Sequence, residues 1–221
     1  MGGSSLYDLK PDGYYSGARV DLLEIVETGI ERVLDVGCGE GNNTSYLRHR
    51  GAKEIWGVEM SSEAAELAKT KMDFVFKGTI ESFLESDTGQ ALFDLIVLGD
   101  VLEHLIDPWS TMKKLTELLS EDGQIIVSLP NVRHKGVLLP LLLKGEWRYE
   151  SSGILDDTHL RFFTYSSAVK MFSDAGLKVI KVSSNRIRGK SAAFNSITMG
   201  LFKDLFIIQH YFLCKRANCS G

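Results

Sequence analysis

Disulfide chemistry is nearly excluded from the outset. The 221 residues hold three cysteines, Cys38, Cys214 and Cys219. That odd, scattered set makes a poor disulfide framework and shows no zinc-type spacing beside histidines, so a reducing, cytoplasmic setting is expected. Long apolar segments are lacking too. The longest uncharged one, GVLLPLLL over 136–143, is interrupted by Pro140 and falls far short of the roughly 20 residues that span a bilayer. The opening residues carry no secretory-signal pattern. Neither sign of charge dominates: the net charge is −4 and the pI about 5.8, which gives no global argument for nucleic acid or an anionic surface. Internal repeats and low-complexity tracts are absent as well.

An ordinary globular mixture remains, 44% hydrophobic and 24% charged. The length suits one domain with a small insertion and a core that needs no staples. The expected division is a flexible leader over 1–13 and a single domain over 14–221, with an inserted segment near 131–163. Buried-strand patterns occur at 32–37, 54–60, 73–78, 93–100 and 123–130, with further strands at 178–184 and 207–216. Helical patterns occupy 18–29, 61–72, 110–119 and 164–177. Strands apolar on both faces, alternating with helices, predict a parallel sheet covered on both sides. In such sheets ligands lie beyond the carboxyl ends of the strands, so the chemistry is sought in the loops that follow them.

The first such loop, in VLDVGCGEGNN (33–43), carries Gly37, Gly39 and Gly41 at alternate positions. The dinucleotide fingerprint needs G-x-G-x-x-G, and Asn42 stands where its third glycine would be. A phosphate-binding P-loop is excluded, because no G-K-[ST] follows. Asp35, two residues before the first glycine, is a carboxylate suited to a ligand with a cationic group.

With the rest of the loop, VLDVGCGEG resembles the first motif of the class I S-adenosylmethionine-dependent methyltransferases, hydrophobic-D-x-G-C-G-x-G, in a likeness covering roughly residues 14–183. FDLIVLGDVLEHLIDP (93–108) is similar to that family's later motif, and LPNVRH (129–134) with GILDDTHLRFFT (153–164) resembles a branch common in bacterial sugar and polysaccharide pathways, related to quinone-ring O-methyltransferases. The resemblance implies an α/β fold: a Rossmann-like, doubly wound, mostly parallel seven-stranded sheet with helices on both faces and a helical lid insertion after the fifth strand. It implies S-adenosyl-L-methionine as cofactor and S-adenosyl-L-homocysteine as product. The implied cofactor contacts are Asp35, Gly37, Cys38 and Gly39 in the loop, Glu59 and Met60 at the ribose, Thr79 and Ile80 at the adenine, and Gly99 and Asp100 at the methionine end. The family often has Asp where this chain has Thr79. For Glu59 a solvated carboxylate at a strand end is the plain alternative.

Methyl transfer is an in-line displacement on a sulfonium, in which orientation supplies much of the acceleration. A hydroxyl acceptor gains further from a general base, and histidine suits that task near neutral pH. His159, His134 and His104 are the candidates. His159 is preferred because Asp156 and Asp157 precede it; anchoring the inserted segment is its plain alternative, as it is for His134. His104, with Glu103, sits near the transferred methyl in relatives, or else opens the following helix as a capping pair. Arg161 suits an acceptor phosphate or carboxylate, or a salt bridge to Asp156 or Asp157. Trp147 and Tyr149 form either a stacking wall for a sugar ring or packing within the insertion, and Tyr14 and Tyr15 are candidate lid residues. No metal site is expected, since the histidines are spread along the chain. The acceptor is expected to be a small molecule or glycan, not nucleic acid, with a quinone or aromatic ring as the competing choice. A cofactor-binding partner protein without turnover is the other class. The expected assembly is a monomer or homodimer, and the basic, apolar stretches at 133–144 and 201–215 fit either internal packing or weak peripheral membrane contact.

Overall fold

The computed structural model describes residues 18–27, 29–185 and 203–217. The expectations for the leader, Tyr14, Tyr15 and Cys219 lie outside them. Seven strands form one sheet: β1 (Arg32–Val36), β2 (Glu54–Glu59), β3 (Phe74–Lys77), β4 (Phe93–Gly99), β5 (Leu119–Pro130), β6 (Leu177–Ser184) and β7 (Gln209–Arg216). Their order is β3-β2-β1-β4-β5-β7-β6. Pairing is parallel from β3 to β5, and β7 runs antiparallel to both β5 and β6. This is the doubly wound, mostly parallel arrangement expected.

Period-two alternation sorts each central strand between two cores. Leu34 and Val36 of β1, Ile96 and Leu98 of β4, and Ile125 and Val127 of β5 face one side. There they meet α4 (Ile80–Glu85), α5 (Pro108–Glu117) and α7 (Tyr165–Asp174) through Phe83, Met112, Leu115 and Phe172. Val33, Leu95, Val97 and Ile126 face the other side, against α1 (Val20–Leu23), α2 (Thr44–His49) and α3 (Ser62–Ala68). Each buried aliphatic side chain contributes about 1.5–3 kcal/mol of transfer free energy, so both faces are needed to close the domain.

Several boundaries differ from the pattern. The amphipathic stretch 18–29 forms only the four-residue α1; Ile25 and Val26 are buried without being helical. β5 starts four residues before the expected 123, extending through SEDG beside a register shift between Phe93 and Leu95. α5 begins at Pro108, with Asp107 Oδ1 accepting from Ser110 N as its cap. Glu103 and His104 therefore do not open that helix; they lie in a separate 3-10 turn, Leu102–His104.

After β5 the chain forms α6 (Lys135–Lys144) and then runs irregularly back to the sheet, with Asn131 bridging Phe163. Internal packing explains little of α6: only Val137 is buried, while Leu142 and Leu143 are 74% and 77% exposed. No helix among the described residues is long and apolar enough to cross a membrane.

Candidate active site

The order β3-β2-β1-β4 places the reversal of winding between β1 and β4, and a large cavity opens beyond their carboxyl ends, as open α/β sheets predict. It measures about 1030 Å³. One wall is the loop after β1, which turns through left-handed conformations at Gly37 (φ 67°) and Gly39 (φ 53°). A side chain at Gly37 would be strained there and would meet Val101 Cγ2 at 3.0 Å. The loop is tied to the end of β2: Glu59 Oε2 accepts from Gly39 N at 2.9 Å and Oε1 from Ser61 N at 2.7 Å. Glu59 is buried, and burial holds its carboxyl above the usual range despite the Ser61 and Gly39 donors. Cys38 is buried with a free thiol, a small residue in a tight loop.

Asp35 is buried beneath the loop, where Asn43 Nδ2 donates to its Oδ2 at 3.0 Å. Asn43 Oδ1 in turn accepts from Arg19 N, so one amide joins α1 to the acid of the loop. Burial pushes the Asp35 carboxyl up to about 7; the Asn43 bond opposes this and the Glu59 charge adds to it. A carboxyl raised in the folded state favours folding most when protonated in both states, below its unfolded value, and that contribution is lost as pH rises towards 7. The cofactor-free protein should therefore lose stability between about pH 4 and pH 7, by up to roughly 1.4 kcal/mol per pH unit from this group. Asp35→Asn should flatten that slope and melt higher than wild type at pH 7.5 in thermal scans. An unchanged slope in the variant contradicts the assignment.

Asp100 ends β4 in a left-handed conformation (φ 58°), the sole non-glycine residue with positive φ among the described residues. Its position is heavily determined. Asp100 N donates to Ser128 Oγ, and Ser128 Oγ donates to Asp100 Oδ1, both at 2.9 Å. Gln209 Nε2 donates to Oδ1, and Arg19 pairs with Oδ2. Four elements thus converge on one strained residue, as functional sites often show.

The cavity is also lined by Glu103, His104 and His159. The His104 and His159 rings meet edge to face with centroids 4.7 Å apart. His104 Nδ1 lies 3.2 Å from the Thr158 carbonyl, and His159 Nδ1 lies 3.0 Å from that of Ile154. The Ile154 carbonyl, more than the preceding acids, thus sets the His159 ring: Asp156 Oδ1 accepts from Thr158 N and Thr158 Oγ1. The returning chain is fastened to the turn by Leu160 N and Arg161 N, which both donate to the Glu103 carbonyl. Glu103 is 1% exposed, and neither of its carboxylate oxygens has a hydrogen-bond partner among the described residues. Burial, with the Asp100 charge second, raises its carboxyl far above the usual range. Burial and then the His159 charge lower His104 to about 4, which leaves its imidazole neutral across the physiological range.

Of the expected cofactor contacts, Asp35, Gly37, Cys38, Gly39, Glu59, Met60, Thr79, Ile80, Gly99 and Asp100 all line this cavity, as do His104 and His159. Thr79 also caps α4 by accepting from Ser82 N. The other candidates lie outside that wall. His134 is not in the cavity wall; its Nδ1 accepts from Gly136 N as the cap of α6. Trp147 and Tyr149 lie outside the cavity lining, Trp147 edge-on to Phe162 at 5.1 Å and Tyr149 tilted at 6.3 Å. Arg161 donates to the carbonyls of Leu160 and Ile106 and lies over Trp109. Arg19, Asn43, Ser128, Gln209 and the side chain of Glu103 were not singled out from the sequence. Only Glu103 had a signal there, as the neighbour of His104.

A family model described as a methyltransferase domain matches residues 11–182. The chain is 30% identical over 145 residues to a ubiquinone biosynthesis O-methyltransferase of Alkalilimnicola ehrlichii, a match covering 62% of this chain and 55% of that protein. It is 24% identical to the enzyme of the same name from Aeromonas salmonicida, over 80% of this chain and 76% of that one. Among the first of these curated relatives the match spans about 55–61% of their length. Among solved structures, a SAM-dependent methyltransferase from Archaeoglobus fulgidus superposes with a TM-score of 0.66 at 17% identity, covering 86% and 87% of the two chains. A Thermotoga maritima SAM-dependent methyltransferase, described as a possible histamine N-methyltransferase, gives 0.63 at 18% identity, covering 89% and 87%.

Proposed function

Because the chain belongs to the class I S-adenosylmethionine-dependent methyltransferases, we propose that it moves a methyl group from S-adenosylmethionine to an oxygen or nitrogen of a small-molecule, sugar or glycan acceptor. The observation that carries this reading is one cavity lined by buried acids, a glycine loop and a paired-histidine cluster. The donors present fit the cofactor. Glu59 keeps unused lone pairs on both oxygens for the ribose hydroxyls. Ile80 offers an apolar face for the adenine beside Thr79. Gly37, Cys38, Gly39, Met60, Gly99 and Asp100 border the remainder, and Arg19 is a cation on that wall for a carboxylate. When bound, the cofactor supplies an electrophilic methyl on a sulfonium.

The chain's own residues then orient the acceptor and handle its proton. With Nδ1 donating to the Ile154 carbonyl, His159 holds Nε2 as its acceptor nitrogen. The segment over 131–163 supplies Gly153, Ile154 and Asp156 to Leu160 to the cavity wall and serves as the acceptor-site cover. Exposed Ile106 and Leu160 at the cavity leave room for an apolar acceptor. This observation favours, as a second reading, a quinol or aromatic hydroxyl, the class named in the curated relatives. The exposed leucines of α6, flanked by Lys135 and Lys144, would provide weak peripheral membrane contact for a lipid-linked acceptor. Free, buried Cys38 and Cys214 accord with a reducing cytoplasm.

The test is a mass-spectrometric acceptor panel of sugar nucleotides, glycans and quinols with S-adenosylmethionine. A product one methylene heavier, formed with S-adenosylhomocysteine, is expected from one class. Cofactor binding without methylation of any class would support a silent binding protein instead.

A further inference from the structure

We propose that Glu103, His104 and His159 form a two-histidine, one-carboxylate site for a divalent transition-metal ion at the acceptor end of the cavity. The inference rests on the proposed function only for what the ion does there, not for its binding.

Each of the three residues presents a ligand atom, and these atoms all lie within 4.8 Å of one another. Metal bonds of about 2.0–2.2 Å set tetrahedrally arranged ligand atoms about 3.3–3.6 Å apart. Closing on an ion thus asks the side chains to move by up to about an ångström, within reach of rotamer adjustment. The ring geometry is of the kind metal sites use. A carbonyl only accepts, so Nδ1 of His104 and Nδ1 of His159 each carry the proton shared with Thr158 and Ile154. That fixes Nε2 as the ligating nitrogen in both rings, with the backbone as the outer partner that orients them. The turn and the returning chain are locked together through the Glu103 carbonyl, so the three ligands are held before any ion arrives.

Charge argues the same way. A buried carboxylate without a donor costs several kcal/mol. Glu103 has none for either oxygen among the described residues, and Asp156 adds a second buried acid beside the pair. A divalent cation offsets both. Two imidazoles and one carboxylate with open positions suit iron, zinc, cobalt or copper, and disfavour magnesium or calcium, which take oxygen ligands. An acceptor hydroxyl entering an open position would lose its proton to solvent more readily, as metal-bound water does. The oxygen then reaches the methyl as an alkoxide, so in the metal-loaded protein the ion takes over the task that His159 Nε2 performs as proton acceptor in the metal-free one.

The experiment titrates the chelator-treated full chain with Co²⁺ and with Cu²⁺, without cofactor. A saturating visible cobalt spectrum and copper resonance with nitrogen coupling from two imidazoles are expected. Glu103→Gln and His159→Ala should each weaken binding by more than the roughly 10–100-fold typical of losing an outer partner, and His134→Ala should not change it. Absence of saturable binding in the wild type, copper without imidazole coupling, or equal affinity in every variant overturns the site. The wild-type result decides even if a variant fails to fold. S-Adenosylmethionine is titrated into the same preparation. Cofactor binding with no metal binding removes only this inference, whereas loss of both removes the functional reading.

Discussion

Glu59→Gln is expected to weaken S-adenosylmethionine binding on the order of 100-fold or more, with the fold intact. Glu59 is buried at the end of β2, and each carboxylate oxygen already accepts one backbone N–H. Glu59 lines the cavity, and hydrogen bonds to a charged acceptor contribute about 1.5–3 kcal/mol each. The amide keeps the shape but replaces one acceptor oxygen with a donor. That donor opposes either Gly39 N or Ser61 N and cannot receive a hydroxyl proton. Calorimetry with circular dichroism on the same sample checks this. Wild-type affinity in a folded variant contradicts a ribose role for Glu59.

His159→Ala is expected to lower kcat by about 10²–10⁴, the usual range for a positioned proton acceptor, while the cofactor dissociation constant stays within a factor of about three. His159 lines the same cavity and touches His104, with no hydrogen bond to Glu59 among the described residues, so truncating it removes the proposed proton acceptor and leaves the Glu59 hydrogen bonds in place. His134→Ala, outside the cavity lining, should leave turnover unchanged. Single-turnover kinetics on the acceptor found in the panel separates the steps; turnover within tenfold of wild type would exclude His159 from handling the acceptor proton.

The sheet was legible because its strands are buried on both faces. Runs such as LIVL in β4 and IIV in β5 leave no other reading once helices intervene. The glycine-loop wall was legible because its backbone needs glycine at Gly37 and Gly39, and an acid closing the neighbouring strand at Glu59 leaves a mark in sequence. The acceptor end was not. His104 and His159 are 55 positions apart, and their contact depends on the path of the irregular chain after α6, which no periodicity encodes. His134 was ambiguous because histidine suits a helix cap as well as a base, and the bond from Gly136 N is what favours the cap. Arg19, Asn43, Ser128 and Gln209 are common residue types whose role arises when four elements converge on Asp100 and Asp35.

The most direct measurement is a calorimetric titration of the wild-type protein with S-adenosylmethionine beside NAD. Saturable binding of the sulfonium, with none of the dinucleotide, is the predicted result. Binding of NAD alone, or of neither ligand to a folded chain, would contradict the cavity's assignment to a methyl donor.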